Sequence, residues 1–221
     1  MTNILSNTTK RFLHVGCGPA RKGPRTPGFG SDDWEEIRLD IDPSVEPDII
    51  ASITDLSPAE TGTFDAIYSS HNIEHLYPHE APIALGEFFR VLKDDGFLVL
   101  TCPDITSIAA FITANGLDTT AYMSGMGPIT PLDMMFGHNA SIRNGNSFMA
   151  HRTAFSRLTL QKALSATGFG SIMTFEKSAR FELWALAVKT EIDRKSVVDL
   201  VVRHIPGAEQ IRDRLLADAE R

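Results

Sequence analysis

The chain has 221 residues, 43% of them hydrophobic, with 21 lysines and arginines against 28 acids for a formal charge of −7. This is the composition of one ordinary globular domain able to bury a full core, and the acid excess argues against a nonspecific grip on nucleic acid. Residues 1–10 lack an apolar core and no apolar run is long enough to span a bilayer. Neither a signal peptide nor a membrane partner is therefore expected, and the expected location is cytoplasmic. Cys17 and Cys102, the two cysteines, are expected as free thiols at strand ends in a reducing compartment.

In chain order, the first apolar run, residues 12–15, breaks into Gly16-Cys17-Gly18-Pro19-Ala20. Gly16 and Gly18 can take backbone angles closed to residues with a Cβ and let the main chain approach a ligand. A Gly- and Pro-rich stretch, residues 22–33, stands where a helix would follow, and Trp34 after it is read as a packing residue or a cover for an adenine. A second run, residues 37–43, reaches Asp40 and Asp42; a carboxylate at such a strand end, Asp40 first, can accept from both hydroxyls of a ribose. Glycine turn plus ribose acid predicts a pocket for an adenosine-containing cofactor. Residues 47–56 read as a short third strand ending at Asp55-Leu56, and residues 64–70 as a fourth. A helix over 83–92 and a charged turn with Gly96 lead to a fifth strand ending near Thr101.

Pro103-Asp104 opens a helix that runs to about Ala114 and is stopped by Asn115-Gly116. Residues 117–150 hold five of the seven methionines among glycines and prolines. Methionine suits surfaces that adapt to an apolar partner, so a mobile lid or substrate wall is expected, the alternative being an irregular core excursion. An amphipathic helix over 153–167 closes at Gly168-Phe169-Gly170. Strands over 171–177 and 181–189 and helices over 193–204 and 208–221 complete the chain. Val197, Val198 and Val201 are expected to pack on the body or on a second subunit, which makes a homodimer one expectation. The domain plan is thus 1–190 as one unit, with 117–150 inserted on the substrate side, and 191–221 as a helical extension.

The segment order, with FDAIYSSHNIEHL and EFFRVLKDDGFLVLTCPD, resembles the type 11 branch of the class I S-adenosylmethionine-dependent methyltransferases. The resemblance covers residues 12–104 by motif and 150–189 by topology. It implies an α/β, Rossmann-like fold: a mostly parallel seven-stranded sheet with an antiparallel C-terminal strand and helices on both faces. It implies S-adenosylmethionine as cofactor and S-adenosylhomocysteine as product. Gly16, Cys17 and Gly18 would face the methionine part, Asp40 and Ile41 the ribose, and Asp55 with Leu56 the adenine edge. Ser69, Ser70 and His71 would lie between cofactor and substrate. Three features depart from the pattern: His14 replaces an acid, Ala20 replaces the third glycine, and the 22–33 loop replaces a helix.

Transfer requires an acceptor aligned with the departing sulfur and, for some acceptors, a base. His71 is the leading candidate, with His138 and His151, beside Asp133 and Arg152, contributed by the insertion. The expected acceptor is a small, partly apolar molecule, with oxygen, nitrogen or carbon as receiving atom left open, and no resident metal is expected. Three other readings compete. His71, Glu74 and His75 match H-x-x-E-H, the pattern of a zinc hydrolase, although it falls directly after a strand. A nicotinamide oxidoreductase would use the same glycine turn, but Gly16-x-Gly18-x-x-Arg21 lacks the third glycine. A cofactor-binding, noncatalytic partner protein of the same fold also satisfies the motifs.

Overall fold

The computed structural model describes residues 9–217. Its nine strands are β1 (Lys10–Val15), β2 (Trp34–Asp40), β3 (Ile49–Ile50), β4 (Phe64–Ser70), β5 (Leu92–Pro103), β6 (Tyr122–Ser124), β7 (Gly127–Ile129), β8 (Ser171–Lys177) and β9 (Glu182–Val188). Seven form one sheet in the order β3-β2-β1-β4-β5-β9-β8, while β6 and β7 form a separate hairpin. Strands β1 to β5 run parallel, and β9 runs antiparallel to both β5 and β8. The helices are α1 (Ala81–Val91), α2 (Ile105–Asn115), α3 (Pro131–Phe136), α4 (Asn139–Arg143), α5 (Arg157–Thr167), α6 (Arg194–His204) and α7 (Arg212–Ala217). This is the mostly parallel seven-stranded sheet expected from the sequence.

A sheet covered on both faces needs apolar side chains on both, and the central strands supply them by alternation. Leu13, Val15, Ile67, Leu98 and Leu100 point to one face, where Leu85 and Phe88 of α1 and Leu160 and Leu164 of α5 meet them. Phe12, Ala66, Tyr68, Phe97 and Val99 point to the other, which receives Val197 and Val201 of α6. No helix joins β1 to β2. Phe29 of the connecting loop instead stacks on Phe12 with ring centroids 4.4 Å apart, and α6 closes the rest of that face. The predicted apolar stripe of α6 therefore packs on the body of its own chain. Trp34 opens β2, edge-on to Phe29 and Phe97, and is a packing residue; its role as an adenine cover is overturned.

Other boundaries move for local reasons. Residues 93–96 are part of β5, not a turn before it, and a register shift against β4 between Phe64 and Ala66 absorbs them. A Cβ at Gly96 would stand 3.0 Å from the Lys93 carbonyl, so glycine admits that close pass. The third strand shrinks to two residues, because the chain turns at Ser52, whose carbonyl accepts from Asp55 N–H. Helix α5 starts at Arg157, capped reciprocally by Ser156 and Thr159. Phe155, expected within it, bridges to Asp104 instead. The last predicted helix splits into a 3-10 turn at Ala208–Ile211 and α7, and residues 218–221 lie outside the described part. Among the described residues no helix is long and apolar enough to cross a membrane.

His204 at the end of α6 is wholly buried among Phe29, Phe97 and Trp34. Its Nδ1 donates to the Pro27 carbonyl at 3.2 Å, while Nε2 has no partner. Burial, helped by the nearby Arg203 and Lys10 charges and opposed by the Pro27 hydrogen bond, pushes its pKa down from 6.5 to about 4. The unfolded chain then binds a proton that the folded one excludes. The associated stability is full above pH 6.5 and is lost as pH falls toward 4, by roughly 3 kcal/mol. In urea titrations between pH 7 and pH 4.5, His204→Phe is expected to lose less stability than the wild type. Parallel pH profiles for the two proteins would show that His204 does not titrate this way.

Candidate functional site

The site begins where β1 ends. Gly16 and Gly18 both have positive φ, +57° and +53°. A Cβ on Gly16 would lie 1.7 Å from Asn72 Oδ1. Asn72 follows β4 and donates its amide to the carbonyls of Val15 at 2.9 Å and Ser70 at 3.1 Å, tying the ends of β1 and β4 together. Asp40, at the end of β2, holds the loop from the other side: Gly18 N–H donates to Oδ2 at 2.8 Å and Asp42 N–H to Oδ1 at 3.0 Å.

The absent helix would have absorbed the carbonyls of this loop. Arg38, 2% exposed, does so instead. Its guanidinium donates to the carbonyls of Gly18, Ala20, Val45 and Glu46, and so fastens the glycine loop to the β2–β3 connection. His14, in the position of the missing acid, is buried and pairs with Glu36 through a 2.7 Å contact. Burial lowers its pKa more than the Glu36 contact raises it. Glu36 Oε2 also accepts the Lys22 N–H, a further fastening of the loop.

These residues form one end of a cavity of about 550 Å³. Gly16, Gly18, Asp40, Ile41 and Asp42 line it together with residues 51–53. Asn72 lines it beside the glycine loop, His71, His75, His138, His151 and Arg152 line the rest, and the 117–150 segment adds Tyr122, Ile129, Met134, Phe148 and Met149. Two of the five methionines expected to form a substrate wall thus line the cavity, whereas Met123 and Met126 are exposed at the β6–β7 hairpin.

Each histidine is held differently. His71 has φ +55°, a conformation costing non-glycine residues about 1–3 kcal/mol, and its N–H is tied to the Thr101 carbonyl. His71 Nδ1 lies 3.1 Å from Glu74 Oε1. Burial pulls the imidazole pKa down, but the Glu74 hydrogen bond and charge outweigh it and leave it raised. Burial likewise pushes Glu74 up, and His71 outweighs that, leaving the carboxyl lowered. His138 Nδ1 pairs with Ser141 Oγ at 2.7 Å. His151 Nδ1 pairs with the Met134 carbonyl at 2.9 Å, and burial lowers its pKa. The H-x-x-E-H match does not form a hydrolase helix: residues Ile73–His75 are a single 3-10 turn, and His71 bonds to Glu74 rather than standing beside His75 on an α-helical face.

Several expected cofactor residues lie off the cavity. Cys17 is buried under the loop, and burial pushes its thiol up to about 11. Ser69 is wholly buried; neither it nor half-buried Ser70 lines the cavity. Leu56 packs in the core with its N–H on Glu87 Oε2, and the carboxylate of Asp55 accepts from Ser57 N–H at the surface. Asp55 and Leu56 thus lie off the cavity, which residues 51–53 line instead, because β3 ends after Ile50. Asp55→Ala is expected to leave S-adenosylhomocysteine affinity unchanged in calorimetry, and a tenfold loss would return the adenine edge to Asp55. The Arg90 of the Arg-Val-Leu motif is structural: it pairs with Glu87 and donates to the Leu56 and Ala59 carbonyls.

Residues 13–100 match a family model described as Methyltransferase domain. No curated protein sequence matches the chain. Among solved structures, a possible exported protein from Bordetella parapertussis superposes with a TM-score of 0.53 at 13% identity, over 83% of this chain and 62% of that one. The chain thus spans less than two thirds of that protein. A SAM-dependent methyltransferase from Archaeoglobus fulgidus gives 0.53 at 16% identity over 83% and 87%. The 1,6-didemethyltoxoflavin-N1-methyltransferase of Burkholderia thailandensis, solved with its substrate and S-adenosylhomocysteine, gives 0.51 at 14% identity over 82% and 72%. These likenesses are of fold. Residues 13–100 are thus similar to the methyltransferase-domain family, and the chain has the fold of the class I S-adenosylmethionine-dependent methyltransferases.

Proposed function

We propose that this protein transfers a methyl group from S-adenosylmethionine to a small, partly apolar acceptor. The supporting observation is one continuous cavity that joins the glycine loop and Asp40 to a cluster of histidines. The residues at its first end fit the cofactor. Gly18 has nothing within 4 Å of where a Cβ would stand, so the backbone there faces open space. Each Asp40 oxygen accepts one backbone N–H and keeps a lone pair for a ribose hydroxyl. Ile41 and Ile53 offer apolar wall to a purine.

When bound, the cofactor supplies an electrophilic methyl carbon on a sulfonium. The chain's task is to hold the acceptor in line with that carbon, exclude water and receive a proton where the acceptor has one to lose. Tyr122, Ile129, Met134, Phe148 and Met149 give the acceptor end an apolar wall. His71 is placed to receive the proton: with Nδ1 donating to Glu74, its Nε2 is the free acceptor nitrogen. His138 orients the acceptor from the insertion.

Calorimetric titration with S-adenosylhomocysteine, beside NADH, tests this reading. Saturable binding of S-adenosylhomocysteine without binding of NADH is the expected result. Binding of NADH alone, or of neither, would overturn it.

A further inference from the structure

The acceptor end of the cavity holds a constellation that alignment of a methyl acceptor does not itself require. Glu74, His75 and His151 each bring one ligand-capable atom to within 4.8 Å of the other two. We propose that these three side chains bind a divalent transition-metal ion, of the zinc or manganese kind, with open coordination positions facing the cavity.

Hydrogen bonding fixes the tautomers. His75 Nδ1 lies 3.1 Å from the Ala150 carbonyl, and His151 Nδ1 lies 2.9 Å from the Met134 carbonyl. A carbonyl only accepts, so each Nδ1 carries the proton and each Nε2 keeps its lone pair. Metal-binding histidines are oriented in this way, with the second nitrogen donating to a backbone carbonyl. The rings of His75 and His151 meet edge to face, their centroids 4.9 Å apart.

Glu74 adds an unpaired buried oxygen to the two imidazoles. It is 1% exposed; His71 engages Oε1, while Oε2 is buried with no hydrogen-bond partner. A buried, unpaired carboxylate oxygen is costly, and a cation beside it removes that cost.

The backbone holds the set together over a long sequence separation. The Glu74 carbonyl accepts the N–H groups of Arg152 and Thr153, and His151 N–H donates to the Phe136 carbonyl. The returning segment is thereby pinned across the turn that carries Glu74 and His75. Metal–ligand bonds of about 2.1 Å put tetrahedral donors roughly 3.4 Å apart, so a cation would draw these atoms inward by about an ångström. His75 and His151 line the cavity and Glu74 does not. Three protein ligands with positions open toward a cavity is the arrangement of a reactive rather than a closed structural site. Two imidazoles and one carboxylate suit zinc, manganese, iron or cobalt better than calcium or magnesium, which take all-oxygen shells. The set differs from the H-x-x-E-H reading, in which His71 and His75 are ligands and Glu74 is the base.

The test uses chelator-treated protein without a polyhistidine tag, titrated separately with Zn²⁺ and Mn²⁺. Wild type should bind one ion per chain and melt at a higher temperature with metal present. His75→Ala and His151→Gln should each weaken binding by at least about tenfold, and His79→Ala, an exposed histidine outside the set, should not. The proposal is overturned if wild type takes up no stoichiometric metal, if either variant binds as tightly as wild type, or if His79→Ala loses binding too. X-ray absorption on the wild-type zinc form needs no variant: two imidazoles are expected, and one or none would overturn the assignment. Metal-free wild type should still bind S-adenosylhomocysteine, so the cofactor reading and the metal site can fail separately.

Discussion

Arg38→Met should lower the stability of the chain by about 3–5 kcal/mol, read as a shift in urea midpoint, and should abolish measurable binding of S-adenosylhomocysteine. Arg38 is buried and donates to four backbone carbonyls, those of Gly18, Ala20, Val45 and Glu46. A methionine replaces the stem only to about the position of Nε, donates nothing and leaves the space of the guanidinium empty. Each orphaned buried carbonyl costs about 1–3 kcal/mol before relaxation, and part of that is recovered as the loop opens to water. Opening is what destroys the cofactor end, because Gly18 is held by Arg38 through its carbonyl and by Asp40 through its N–H. Arg38→Lys keeps the charge, but its three donors on one nitrogen cannot match a planar guanidinium, so it should fall between the two. A wild-type midpoint for Arg38→Met would mean that the loop carbonyls find other partners and that the arginine is dispensable.

Asp40→Ala should weaken S-adenosylhomocysteine binding by roughly 1.5–3 kcal/mol, about 10- to 150-fold, the worth of hydrogen bonds to a charged group. The side chain has two tasks: it accepts from Gly18 and Asp42 N–H, and it presents its remaining lone pairs to the cavity. Asp40→Asn keeps one acceptor oxygen but turns an NH2 toward the second loop N–H, so it should lower both the melting temperature and the affinity. Unchanged calorimetric affinity in Asp40→Ala would show that the ribose is held elsewhere.

Much of this was legible in the sequence where the cause is local. Gly16 and Gly18 sit where the backbone takes positive φ, and β4 has the predicted limits, Phe64 to Ser70. The mostly parallel seven-stranded sheet was expected from the family resemblance, and its strand order appears only in the structure. What was illegible depends on contacts between distant residues. Arg38 reads as a polar interruption in an apolar strand; its role exists only because the helix after β1 is missing and leaves carbonyls to satisfy. The family resemblance points to Asp55-Leu56 for the adenine edge, whereas β3 ends at Ile50 and brings residues 51–53 to the cavity. The Lys93-Asp94-Asp95-Gly96 stretch has turn composition, and only its pairing with β4 makes it strand. Asn72 carried no periodic signal, although it locks two strand ends. His75 and His151 were each visible as histidines. Their convergence with Glu74 required the chain to return across the 3-10 turn after β4.

The most direct measurement is a crystal structure of the protein with S-adenosylhomocysteine bound. The ribose hydroxyls are expected on the Asp40 carboxylate, the adenine against residues 51–53, and the sulfur facing the histidine end of the cavity. A ribose away from Asp40, or an adenine against Asp55 and Leu56, would contradict the proposed site.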